Sequence, residues 1–178
     1  MTVPMRKGCK VAAITTMLLV AAACSGEKKA EAPRAPVVVG DVAPRFANVS
    51  LTGDSLVVGA SATGVTLLNV WATWCTSCRE EFAELERLRA AHESQGLRVV
   101  AVSVDQGTDV KVRKFVEAQR TNFPVAHDAD ARITSLYGVG GLPTSYLLDA
   151  SGKVLWRAVG DFRLDSAGLA TAIKAALP

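Results

Sequence analysis

The sequence predicts an α/β fold, a mixed central sheet with helices on both faces, and three observations carry that expectation. The 178 residues are 49% hydrophobic and 21% charged, the make-up of one folded domain plus an extension. Two nearly continuous apolar runs of strand-forming residues, Val65–Ala72 and Leu97–Val104, read as strands buried on both faces. Stretches of helical periodicity alternate with these runs, and a strand hairpin followed by a helix closes the chain.

Each element follows from its own pattern. Ser25–Pro36 (SGEKKAEAPRAP) mixes Ala, Pro and charge without apolar periodicity, so it reads as a flexible tether and the domain is expected to begin at Val37. Phe46–Leu51 reads as a short strand, and Thr52-Gly53-Asp54 as the turn after it. After Val65–Ala72 the pattern becomes helical from Cys75. Phe82, Leu85 and Leu88 share one face, Glu80, Glu84, Arg87 and Arg89 lie largely elsewhere, and Gly96 ends the helix. Beyond Leu97–Val104, residues Thr108–Gln119 form a helix with Val112, Phe115 and Val116 inward. Phe123–Ala126 is a short strand and Ala129–Tyr137 a short helix. Thr144–Leu148 and Val154–Val159 are strands joined at the tight-turn sequence Asp149-Ala150-Ser151-Gly152, and Leu164–Leu177 is the last helix. No internal repeat is visible.

The first 23 residues read as an export signal. Arg6, Lys7 and Lys10 precede the run Val11–Ala23, which is apolar apart from Thr15 and Thr16. That run falls short of the roughly 20 residues that a membrane-spanning helix needs, and Ala21-Ala22-Ala23 supplies small residues for cleavage. All three cations leave with the signal, so the remaining chain carries 17 basic and 17 acidic residues. A formally neutral domain lacks the basic surface of a nucleic-acid binder, and no nucleic-acid partner is expected. The expected organisation is therefore a signal over residues 1–23, a tether over 24–36 and a folded domain over 37–178.

Ala21-Ala22-Ala23-Cys24 resembles a bacterial lipoprotein signal, with Ala21 standing where that pattern favours Leu. The resemblance implies acylation of Cys24 and attachment to a membrane of the cell envelope, in the periplasm or on its outer face. Each buried methylene of such an anchor contributes about 0.8 kcal/mol. Ordinary secretion, with Cys24 incidental, is the plainer alternative.

Of four cysteines, Cys9 belongs to the signal and Cys24 to the anchor, which leaves Cys75 and Cys78. One closely spaced pair is too few for a disulfide-stapled scaffold. The pair lies in Trp71-Ala72-Thr73-Trp74-Cys75-Thr76-Ser77-Cys78, where a buried strand gives way to a helix. A helix N-terminus offers unpaired N–H groups and a partial positive charge, and both favour a thiolate in the first turn. A thiol of pKa about 8.5 is a few per cent ionised at neutral pH, and about half ionised once its pKa falls to about 7. The second cysteine, one turn on, can attack a mixed disulfide formed at the first, so the spacing supplies a nucleophile and a resolving thiol.

This stretch resembles thioredoxin-like proteins and, within them, the exported oxidoreductases of the TlpA/ResA group. Gly40-Asp41-Val42-Ala43-Pro44-Arg45-Phe46, Asn69-Val70-Trp71-Ala72-Thr73-Trp74-Cys75 and Gly138-Val139-Gly140-Gly141-Leu142-Pro143-Thr144-Ser145-Tyr146-Leu147-Leu148-Asp149 carry the resemblance. It implies a thioredoxin-like fold and protein-disulfide exchange, with Cys75 as the exposed attacking thiol and Cys78 as the buried resolving one. It also implies that Pro143 is a cis-proline facing the pair, that the Leu142 backbone pairs with an extended substrate, and that Trp74 shapes the surface beside Cys75. Asn69 stands where thioredoxin itself has a buried Asp. An amide cannot act as a base, and the TlpA/ResA pattern places a Glu three residues after the second cysteine, so the resemblance implies Glu81 as the acid–base helper. The implied partners are protein dithiols and disulfides outside the cytoplasm, among them the haem-attachment thiols of an apocytochrome c, together with a membrane electron donor. The redox-active Cys75–Cys78 disulfide itself replaces any cofactor.

Plainer readings stand beside these. Glu81 could be a solvated helix residue, since charged helix residues usually face water. Pro143 could be an ordinary trans turn residue, and Trp71 reads as core. The cysteine pair could be half of a zinc site, but His92 and His127 stand alone and no metal ligand set is expected. As a purely structural bridge it would close too small a loop to constrain much chain. Asn48-Val49-Ser50 matches a glycosylation sequon that a bacterial export signal makes incidental. Two other function classes remain. A thioredoxin-fold peroxidase would need Pro and Thr where Leu68 and Ala72 stand. A copper-delivery protein would recruit His127 to a wider-spaced cysteine pair.

Overall fold

Alternation along one strand organises the domain. In β3 (Val65–Trp71) every residue is buried, and successive side chains point to opposite faces of the sheet. Leu68 and Val70 join Ala72 in one core, whereas Leu67 and Trp71 enter the other. The computed structural model describes Thr2 and residues 35–60, 62–160 and 167–178. The chain divides into two units, residues 1–30 and 31–178, and the architecture here is that of the second. The export signal, Cys24 and most of the expected tether lie outside the described residues.

The central sheet has five strands in the order β5-β4-β3-β6-β7. Here β4 is Leu97–Ser103, β5 is Val125–His127, β6 is Thr144–Leu148 and β7 is Val154–Val159. Strands β3, β4 and β5 run parallel, and β6 and β7 run antiparallel to their neighbours, so the sheet is mixed as expected. Helices α1 (Thr76–His92), α2 (Val110–Gln119) and α4 (Ala167–Ala176) place Phe82, Leu85, Val112, Leu169 and Ile173 in the core that holds Leu67 and Trp71. The core on the opposite face takes Ile133 and Tyr137 of α3 (Arg132–Tyr137). Among the described residues no helix is long and apolar enough to cross a membrane.

That second core is also filled by a small two-stranded sheet. β1 (Phe46–Val49) pairs antiparallel with β2 (Ser55–Val58), burying Phe46, Leu56 and Val58. The turn at Thr52-Gly53-Asp54 was legible in the sequence, but its returning strand was not. Four residues between Asp54 and Gly59 carry too short an alternation to stand out. Other boundaries moved by a few residues, as frayed ends do. The strand expected at Phe123–Ala126 is Val125–His127, and the helix expected from Ala129 starts at Arg132.

Two glycines are required by position. Gly96, at φ 97°, follows the 3-10 turn Glu93–Gln95 that ends α1 and sends the chain into β4. Gly138, at φ 60°, lies against the incoming chain, and a Cβ there would meet Pro36 Cα at 2.6 Å. Beside it the Val37 N–H donates to the Tyr137 carbonyl (2.9 Å), tying the start of the domain to α3.

Candidate active site

The reactive pair sits where β3 hands over to α1. Ala72, Thr73, Trp74 and Cys75 form a turn closed by the Cys75 N–H donating to the Ala72 carbonyl (3.2 Å). Cys75 is the N-cap of α1, in extended backbone at φ −88° and ψ 109°, and its Sγ accepts the Cys78 N–H at 3.2 Å. The first turn of α1 contains no acidic side chain. The partial positive charge of a long helix therefore meets the sulfur without an opposing carboxylate in that turn, a setting that favours a thiolate. Ser77 Oγ lies 3.6 Å from Cys75 Sγ, so Ser77 adds a polar neighbour to the sulfur.

Cys75 and Cys78 are joined, with S–S 2.02 Å and Cα–Cα 5.3 Å. Cys78 is fully buried and Cys75 keeps 8% of its surface. The expectation of an exposed Cys75 is corrected: both cysteines are buried in the bridged form, Cys75 slightly less than Cys78. The Cys75 sulfur is bonded to the fully buried Cys78, and its backbone is held in the turn that opens α1. Trp74, next to Cys75 in the chain, is 70% exposed.

The Leu142–Pro143 peptide is cis. The register of β6 against β3 sets Thr144 opposite Val70, which brings the Gly141–Pro143 loop to the sheet end that carries the cysteines. The Gly160 N–H donates to the Pro143 carbonyl (2.8 Å), and the Thr144 hydroxyl donates to the Gly141 carbonyl (2.6 Å). Half-buried Leu142 packs against both cores.

Behind Cys78 lies a polar cluster. Odd-numbered residues of β3 face α1, so Asn69 points toward that helix, and the register places Ser145 directly across from it. The Asn69 amide Nδ2 donates to Glu81 Oε2 (3.1 Å) and to Ser145 Oγ (2.9 Å). Glu81 is 4% exposed, which corrects the reading of it as a solvated helix residue. The signal was present in the sequence: Cys78, Glu81, Phe82 and Leu85 follow the i, i+3, i+4, i+7 spacing of one buried stripe. Ser145 had no such signal, because its role comes from the strand register alone.

Aromatic packing holds this end of α1 in place. The Phe82 ring meets Trp71 at 4.4 Å, Phe115 at 5.0 Å and Phe123 at 5.5 Å between centroids, with edge-to-face geometry toward the first two. Trp71 is thus core, as its sequence context indicated. His127, the candidate copper ligand, ends β5, two strands from β3, and its Nε2 lies 2.7 Å from the Asp105 carbonyl oxygen.

Comparison with known proteins agrees with this geometry. The AhpC/TSA family profile matches residues 39–157. The thiol-disulfide oxidoreductase ResA of Bacillus thuringiensis (strain Al Hakam) is 35% identical over 123 residues, 69% of this chain and 70% of that one. ResA of Bacillus subtilis (strain 168) is 33% identical over 116 residues, 65% of this chain and 64% of that one. Among solved structures, a Chlorobium tepidum protein assigned as thiol:disulfide interchange protein DsbE superposes with a TM-score of 0.68 at 38% identity. That match covers 79% of this chain and 98% of that one. A protein from Neisseria meningitidis assigned as a thioredoxin reaches 0.67 at 27% identity, covering 76% of this chain and 89% of that one.

Proposed function

Since this chain belongs to the AhpC/TSA family and is a thioredoxin-fold thiol–disulfide oxidoreductase, we propose that it reduces protein disulfides outside the cytoplasm from a lipid anchor at Cys24. The observation that carries the proposal is the Cys75–Cys78 bridge at the N-terminus of α1, with Cys75 the less buried residue of the two. In the reduced protein the Cys75 thiolate attacks one sulfur of a substrate disulfide, forms a mixed disulfide and expels the other sulfur as a thiolate. The Cys78 thiolate then attacks Cys75, releasing the substrate as a dithiol and leaving the bridge. A membrane dithiol donor returns two electrons and two protons to the pair. The resemblance to the TlpA/ResA group favours the reducing direction and, as a substrate, the haem-attachment thiol pair of an apocytochrome c.

Glu81 fits the part of proton acceptor for Cys78. It is buried, one helical turn from Cys78 on the same face, and one of its oxygens accepts from the Asn69 amide, a neighbour that cannot itself take a proton. The Leu142–Pro143 loop fits the part of substrate rest, since it lies at the same end of the sheet as the reactive turn. Peroxidase chemistry lacks its motif: Leu68 and Ala72, at the Pro and Thr positions, are both buried in the core of the opposite face.

The test is trapping. Cys78→Ser in the full chain is expected to accumulate mixed disulfides through Cys75 with envelope proteins, identified by mass spectrometry, whereas Cys75→Ser traps none and loses disulfide reduction. Adducts through Cys78 in the Cys75→Ser protein would reverse the assignment. A wild-type protein that fails to cycle between dithiol and disulfide in glutathione buffers would refute the reading.

A further inference from the structure

The mechanism leaves one buried carboxylate beside the reactive turn unused. Asp105 follows the end of β4, is nearly inaccessible to solvent, and grips Thr73, the second residue of the turn that ends in Cys75. The Thr73 N–H donates to Oδ2 at 2.8 Å and its hydroxyl to Oδ1 at 2.5 Å. The Ser103 hydroxyl adds a third bond, to Oδ2, at 2.7 Å. The Asp105 backbone carbonyl accepts from His127 Nε2 (2.7 Å), and the Asn48 amide donates to the His127 carbonyl (3.1 Å). The turn is therefore fastened to the ends of β4 and β5 and to β1.

We propose that Asp105 is a positioning residue for Cys75, which fixes the turn and, through its negative charge, holds down the stability of the Cys75 thiolate. Fastening alone would need only a neutral acceptor. A carboxylate does more, because two residues of chain span about 7 Å at most, so its charge stands within about 12 Å of the sulfur's backbone. In a buried setting, charges at that range still act on each other. The sign is set by repulsion. A negative neighbour disfavours the thiolate, raises the thiol titration and shifts the dithiol–disulfide equilibrium toward the bridge, which makes the reduced protein a stronger reductant. The other charged residues nearest the turn along α1 are Arg79, Glu80 and Glu81, with Glu84, Glu86, Arg87 and Arg89 further along; α2 carries Lys111, Arg113, Lys114 and Glu117, and β5 ends in His127. Asp105 bonds the turn directly through its charged side chain.

This inference rests on the proposed exchange chemistry, and the experiment separates the two. The reduced full chain is pulsed with iodoacetamide across pH, and labelling is read on the Cys75 peptide by mass spectrometry. Asp105→Asn is expected to move the Cys75 midpoint to lower pH, giving about three-fold more labelling below the wild-type midpoint, and to shift the glutathione equilibrium toward the dithiol by a similar factor. Thr73→Val keeps the charge but removes one donor that compensates it, so its midpoint is expected to rise. A purely structural Asp105 would lower the melting temperature in both variants and leave both midpoints unmoved, which would overturn the proposal. If Asp105→Asn does not fold, Thr73→Val decides by the direction of its midpoint. Wild type that cycles normally while the variants titrate unchanged sinks this inference alone; wild type that does not cycle sinks the functional reading.

Discussion

Glu81 and Glu86 stand on the same helix, little more than one turn apart, yet one faces β3 and the other the edge of the molecule. Glu81 is buried, and one of its oxygens accepts a hydrogen bond from the neutral Asn69 amide. Glu86 is only half-buried and takes hydrogen bonds from Arg89 Nε at 2.9 Å and from the Asn122 backbone N–H at 3.0 Å and side-chain amide at 2.9 Å. Burial alone would raise the Glu86 carboxyl, but the Arg89 and Asn122 bonds outweigh it and hold it below the ordinary carboxylate range. The contrast separates two uses of charge. A carboxylate with cationic and N–H donors at the surface adds modestly to stability and stays ionised. A carboxylate buried on the face of α1 that carries Cys78 is the one expected to exchange a proton with the thiol.

The sharpest way to break this comparison is to loosen the buried end of the helix. Phe82→Ala removes the ring between Trp71, Phe115 and Phe123 and is expected to cost about 3–5 kcal/mol in urea unfolding. A loss under about 1 kcal/mol would mean that burial does not anchor the site end of α1. Glu81→Gln comes next. Its carbonyl can still accept from Asn69, so stability is expected to stay within about 1 kcal/mol of wild type. The thiol titration is nevertheless expected to move by about one pH unit, the scale of a lost charge partner, when followed by alkylation of the Cys78 peptide. An unmoved titration would leave Glu81 as packing only.

The smallest effect is expected at Glu86→Gln, about 0.5–1 kcal/mol at neutral pH. The sign follows from the lowered titration of Glu86. Its contribution is present above the unfolded carboxylate range and is lost as pH falls through the folded value, so wild type and variant converge in acid. Unfolding curves at neutral and acid pH check this, and a change in cysteine titration in this variant would erase the distinction between the two glutamates.

Much of the site was legible in the sequence because its chemistry is local. The cysteine spacing, the change from strand to helix at Trp74–Cys75 and the core character of Trp71 all lie within one short stretch. The Pro143 loop was legible by resemblance. Glu81 is half legible: the resemblance points to it, but its burial shows only when the apolar stripe of α1 is taken to begin at Cys78 and not at Phe82. The return strand β2 escaped because its four residues are too few to show a period. Asp105, Thr73, Ser103 and Ser145 carried no pattern, since polar residues at strand ends look alike until their neighbours are known.

The sequence by itself determined the alternation of elements and the placement of two sulfurs one turn apart at a helix start, because spacing along the chain fixes both. The tertiary structure decided which polar groups meet them. Glu81 meets Asn69 across 12 residues, Thr73 meets Asp105 across 32, and Asn69 meets Ser145 across 76. Such contacts arise from strand register and from the packing of α1 on the sheet, which no local pattern encodes.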